Sequence, residues 1–287
     1  MEFQRTVTAT MILACLAPIA VAQVKKEYRY AVRPGASVSI ETQYGAISVK
    51  PGSPNQVLVV ASPRSDKVVI DNLQEGNRIE IESQLFPGAD AETGRVDYEI
   101  TVPRDAAVIL RSTTGPLSAS GLLTDLTLEG AAASVDVRDV IGIGPDKGHV
   151  HVKTLNGSIL LSGVTAEHVE ISSIDGPIHL VGVSGNKVDV NSTSGKILFE
   201  GGLGAGTYSF VTHTGDIEML VPANASADFH IRSMHGTVDN EVALRPEQRP
   251  HPIVPGMTAF QEGTLGNSAS KVVLQSFSGK IHLKRQR

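Results

Sequence analysis

The side chains best placed for chemistry are three that recur at a fixed distance before a glycine. His151, Glu170 and Asp189 each stand six residues ahead of Gly157, Gly176 and Gly195. If the chain returns on itself once per interval, these side chains stack. One nitrogen and two carboxylates then come within reach of a divalent cation. Lys153, Ser172 and Asn191 form the neighbouring outward column. The plainer reading is a solvated face with a Lys153–Glu170 attraction, and it is preferred here. His151, Glu170 and Asp189 therefore stand as a candidate cluster, with no metal or other cofactor assigned. Glu218 and Asp239, each three residues after a glycine, make a second pair. Paired carboxylates can cleave glycosides, but Trp is absent and aromatic residues are only 4% of the chain. These two are expected to face water. His149 and His151 share a strand face, while His213 and His235 lie near successive corners, and no helical His-x-x-x-His pair occurs. There is no Gly-x-Ser-x-Gly elbow, and Gly142 and Gly144 lack a phosphate-loop continuation. With no catalytic set, the chain is read as not an enzyme.

The elements that must position these residues are set by a repeat. Leu155-Asn156-Gly157-Ser158-Ile159, Ile174-Asp175-Gly176-Pro177-Ile178, Thr193-Ser194-Gly195-Lys196-Ile197 and His213-Thr214-Gly215-Asp216-Ile217 are four of its copies. Gly236 and Gly279 continue the series, Gly45 and Gly115 begin it, and Ala133 marks a degenerate copy. Aligned on the glycine, the positions seven before, five before and two after are apolar in all nine copies, as in Val169, Ile171 and Ile178. Polar residues separate them, so both arms alternate with period two and read as strands. Three before the glycine stand Thr42, Ser112, Thr154, Ser173, Ser192, Thr212, Ser233 and Ser276, with Gly130 the exception. Their parity points them inward at the corner, where a hydroxyl ladder would satisfy backbone groups. The glycines themselves read as turn residues of positive φ. A spacing of 19 to 21 residues between successive glycines from Gly157 to Gly236, and about twice that to Gly279, predicts an all-β fold: a β-solenoid of about nine coils. A hairpin-built β-sandwich is the competing architecture.

Composition bounds the rest. The 287 residues include 41% hydrophobic ones, few aromatics and a single cysteine, with a net charge of −5. That supplies an aliphatic core but no disulfide framework and no Cys-rich zinc module. A mildly acidic chain with few stacking platforms is not a nucleic-acid binder. Residues 1–22 read as a signal peptide, with Arg5, the apolar run Val7 to Val21 and the small-x-small site Ala20-Val21-Ala22. Ile12-Leu13-Ala14-Cys15 is a loose lipobox, so acylation of Cys15 is the less favoured alternative to cleavage after Ala22. No later stretch is long and apolar enough to span a bilayer. Residues 23–287 then form one β-repeat domain. It divides into N-terminal strands or a cap (23–105), regular coils (106–244), a Pro/Gly-rich loop (245–268) and a final coil (269–287). The N-terminal portion and the final coil are expected to cap the stack.

The run Val96-Asp97-Tyr98-Glu99-Ile100-Thr101-Val102-Pro103, followed by Val108-Ile109-Leu110-Arg111-Ser112-Thr113-Thr114-Gly115, resembles the "putative adhesin" or toastrack family of bacterial envelope β-repeat proteins, domain of unknown function 4097. The likeness covers nearly all of residues 30 to 285. It implies an exported β-repeat fold, in some members coupled to envelope-stress systems, with no catalytic residues to carry over. The expected function is a non-enzymatic cell-envelope protein offering an adhesin-like binding or scaffold surface to an envelope or extracellular protein or glycan. Its expected place is periplasmic, cell-surface or extracellular. The alternatives are a carbohydrate-active β-helix enzyme and an accessory protein of an envelope-stress response.

Overall fold

The computed structural model describes residues 25–142, 148–246 and 259–286. The expected signal peptide, Cys15 and residues 247–258 of the expected loop lie outside the described residues. Among the described residues there is no helix, and twenty-four strands form two sheets of twelve. The first sheet runs, in spatial order, β1 (Lys26–Ala31), β4 (Gln56–Pro63), β7 (Val96–Val102), β3 (Ile47–Pro51), β9 (Leu117–Ser120), β11 (Val135–Arg138), β13 (Ile159–Ser162), β15 (Ile178–Val181), β17 (Ile197–Glu200), β19 (Ile217–Val221), β24 (Ile281–Arg285) and β21 (Val238–Asn240). The second runs β22 (Ala259–Leu265), β20 (Ala227–Ser233), β23 (Ser270–Ser276), β18 (Gly206–Thr212), β16 (Ser184–Ser192), β14 (Thr165–Asp175), β12 (His149–Asn156), β10 (Leu126–Ala132), β8 (Ala107–Thr114), β2 (Ser37–Tyr44), β6 (Arg78–Leu85) and β5 (Val68–Glu75).

From β8 to β19 the chain alternates between the sheets, and each strand pairs in parallel with its counterpart one repeat away. The register is the one that the glycine alignment predicts: Val150 lies opposite Val169, Val169 opposite Val188, and Ile178 opposite Ile197. Every residue seven and five before the corner is buried, because period-two alternation turns those positions toward the opposite sheet. The position two after the corner is buried in eight copies, while Val238, on the edge strand β21, is only half-buried. Antiparallel pairs occur at the two ends, in β1–β4–β7, β5–β6 and β20–β22.

All eight inward hydroxyls of the corner column are buried and hydrogen-bonded; seven follow two patterns, while Thr154 donates to the Ala131 and Ala133 carbonyls of the preceding repeat. Thr42, Ser112 and Ser173 donate to the carbonyl two residues on, at 3.1 to 3.2 Å, and the glycines that follow them have positive φ. Ser192, Thr212, Ser233 and Ser276 instead accept the N–H of the corner glycine at 2.7 to 3.0 Å. Those later glycines lie outside the left-handed region. Positive φ is thus the rule at only some corners.

Two sequence expectations are corrected. The final coil does not cap the stack: β23 lies between β18 and β20, and β24 between β19 and β21. All repeats share the same apolar columns, so the pattern by itself does not specify which repeat lies beside which. The Pro/Gly-rich loop ends early, because Ala259–Leu265 is strand β22, antiparallel to β20. Its apolar alternation is weak because edge pairing rests on main-chain hydrogen bonds. At the other end, β5–β6 and β1–β4 close the stack, the position expected of a cap.

Candidate functional site

The outward face of the second sheet carries the candidate cluster. Strands β12, β14 and β16 set His151 beside Glu170 and Glu170 beside Asp189, and the adjacent column holds Lys153, Ser172 and Asn191. The side chains nevertheless pair off separately. His151 Nδ1 lies 3.2 Å from Glu170, while Asp189 turns to Lys187 Nζ at 2.7 Å and His168 Nε2 at 3.1 Å. Partial burial disfavours the Asp189 carboxylate, but Lys187 and His168 outweigh it and hold its pKa below the ordinary value. Among the described residues, no group of three His, Cys, Asp or Glu side chains has the geometry to hold a metal ion. The attraction expected between Lys153 and Glu170 is replaced by the His151 contact. Histidine–carboxylate pairing recurs across neighbouring strands at His179–Glu200 and His230–Glu262, and between His282 of β24 and Glu241, which follows β21.

Glu218 and Asp239 are not neighbours. His282 of β24 stands between them, opposite Glu218 on one side and Asp239 on the other. Glu218 accepts hydrogen bonds from Lys196 at 2.6 Å and Lys284 at 2.5 Å, which hold its carboxyl at about 2. A carboxyl held low by two lysines is the opposite of the raised acid that a glycosidase pair uses as its proton donor. Asp239 contacts Lys280 at 3.3 Å and His282 at 3.4 Å.

The feature the sequence reading missed is a groove along the corner. Two residues before successive glycines stand Leu155, Ile174, Thr193, His213 and, after the coil insertion, Phe277 and Met234. Leu155, Ile174 and Phe277 are 43%, 50% and 41% exposed, and unlike single exposed apolar residues elsewhere they line one continuous groove. Phe277 stacks on His213 with ring centres 4.7 Å apart and meets His235 edge-on at 4.9 Å. The corner histidines are therefore separated by a phenylalanine and do not adjoin. Lys153, Ser172, Asn191 and Gln275 form the polar side of this groove of about 610 Å³. Its signal was present in the aligned repeat, as apolar residues at a corner position where solvated side chains are the norm.

No helix of the described residues is long and apolar enough to cross a membrane. The family model Toastrack DUF4097 matches residues 36–284. The chain is similar to a solved structure described as a putative adhesin from Bacteroides fragilis NCTC 9343, at 12% identity and a TM-score of 0.50, covering 91% of this chain and 98% of that one. It is also similar to a putative adhesin from Parabacteroides distasonis ATCC 8503, at 10% identity and a TM-score of 0.46, covering 92% and 98%. Identities this low speak to fold alone. No curated protein matches the chain in sequence.

Proposed function

This chain belongs to the Toastrack DUF4097 family, and from that premise we propose that it is an exported, non-enzymatic cell-envelope protein whose surface binds a protein or glycan partner. The fold that serves this role is a β-solenoid with one coil per repeat, a reading supported by the in-register parallel pairs from β8 to β19. The observation that carries the functional reading is the corner groove. Exposed Leu155, Ile174 and Phe277 are fixed on hydrogen-bonded coils beside a row of polar side chains. Rigid repeat surfaces recognise extended partners because little is lost in ordering them. The names of the similar structures agree with a surface role, and the depressed, lysine-bound Glu218 gives no support to hydrolysis.

The test is binding of the purified chain to envelope fractions and to a panel of glycans, with Ile174→Asp and Phe277→Asp compared with the parent. Loss of binding by both variants at unchanged melting temperature supports the reading. Equal binding by parent and variants removes the groove from it. Release of sugar fragments from any glycan, abolished by Glu218→Ala or Asp239→Ala, overturns the non-enzymatic assignment. Fractionation of the producing cell tests export, which a wholly cytoplasmic chain would refute.

A further inference from the structure

At the C-terminal end the order of strands in space departs from their order in the chain. β20 and β21 follow β18 and β19 in sequence, yet β23 and β24 separate the two pairs. Val272 is paired with Tyr208 on one side and Phe229 on the other, and Leu274 with Phe210 and Ile231. In the first sheet Ile281 lies between Ile217 and Val238. At the corner the Phe277 N–H donates to the Thr212 carbonyl, and the His235 N–H donates to the Phe277 carbonyl. Without residues 270–285, the chain would thus have a gap one strand wide in each sheet, bordered by β18, β19, β20 and β21. Backbone groups facing that gap would be strand edges open to water, and an in-register coil gives them ladder partners.

The coil that fills the gap arrives through a short turn, residues 266–269. The turn crosses the start of β20, because β22 pairs on one side of that strand and β23 on the other. Both Gly266 (φ 67°) and Ser268 (φ 59°) are left-handed, and Ser268 carries a side chain there. The turn is pinned to β20. Ser226 Oγ accepts the N–H groups of Asn267 and Ala269, and Asp228 accepts the hydroxyls of Ser268 and Thr264. A compact element whose ladder partners are all distant in sequence, joined by a short strained hinge, has the features that let identical elements exchange between copies.

We infer that this gap is an exchange site for a second copy of the chain: Ser270–Arg285 of one copy fills the space between β18–β19 and β20–β21 of the other, and reciprocally. Every ladder pair made within one chain is available between two. The arrangements differ at the hinge, where extension releases the left-handed Ser268. Raising the protein concentration favours the exchanged form, because the internal coil competes at a fixed effective concentration.

The experiment uses the outward register partners Ser209 and Val273 in a Cys15→Ser background. A chain carrying both Ser209→Cys and Val273→Cys reports β18–β23 pairing through internal cross-linking by a short bismaleimide. Two chains carrying one substitution each are then unfolded together, refolded over a hundredfold range of concentration, and cross-linked. A cross-linked heterodimer whose yield rises several-fold with concentration is expected. Ser268→Gly, which relieves the hinge, should lower that yield at least twofold. A control pairing of Ser209→Cys with Ser39→Cys, on the distant strand β2, should give none. The inference is overturned by internal cross-linking in the double variant with no heterodimer at any concentration. Equal cross-linking of the control pair also overturns it, as does failure of the internal cross-link.

Discussion

Gly195 stands directly over the carbonyl of Gly176, so close that a Cβ on Gly195 would lie 1.9 Å from that oxygen. The same relation links Gly215 to Gly195 at 2.1 Å and Gly279 to Gly215 at 1.8 Å. The absence of a side chain therefore sets the spacing of the corners, including those where φ is ordinary. Gly195→Ala should destabilise the protein by about 3 kcal/mol, since only backbone movement can make room. Gly202→Ala, with nothing within 4 Å of the added carbon, should change stability by less than about 0.5 kcal/mol. Urea denaturation of the two variants checks this contrast, and similar midpoints would refute the steric account.

Ile178 and Ile197 face each other across β15 and β17 and are buried between the sheets. A carboxylate at either position has no partner and no access to water. Ile178→Asp or Ile197→Asp should each cost on the order of 4 kcal/mol or more. The expected result is a large drop in melting temperature or loss of folded protein. Unchanged melting in both would show that the inward columns are misassigned.

Glu218 carries a pH signature. Lys196 and Lys284 lower its carboxyl from 4.5 to about 2 on folding. A depressed acid stabilises the native state above its unfolded pKa and loses that contribution as pH falls through its folded value. Glu218→Gln should therefore be less stable than the parent at neutral pH by up to about 1 kcal/mol, a modest figure because both lysines are solvated. The difference should shrink between pH 4.5 and about 2 and then vanish. Thermal melts across that range supply the measurement, and a difference independent of pH would contradict the ion-pair assignment.

The stack of Phe277 on His213 exists only because the final coil is inserted before the Gly236 coil. A double-mutant cycle with His213→Ala and Phe277→Ala should give a coupling of about 0.5 kcal/mol at this exposed site. Additive effects would indicate that the coils follow chain order instead.

Much of this was legible in the amino-acid order. The inward columns, the buried hydroxyls from Thr42 to Ser276 and the lateral alignment of His151 with Glu170 all follow from one glycine register. That register could not say which coil touches which. Val272, Tyr208 and Phe229 belong to the same column, and a parallel ladder accepts them in any order. The pairing of charges was also hidden. Backbone register sets Asp189 beside Glu170, but attraction to Lys187 and His168 turns the carboxylate away. Glu218 and Asp239 failed as a pair for the first reason, and the metal cluster lost its third member for the second.

The bracketed position of the last coil also governs how the molecule answers tension. Force applied through Arg285 does not peel an outermost layer, because β23 and β24 are held on both flanks by β18, β20, β19 and β21. Extraction breaks four strand pairings, where removal of an end coil would break two. A surface protein tethered through that end would resist pulling far better than one whose coils were stacked in the order of its chain.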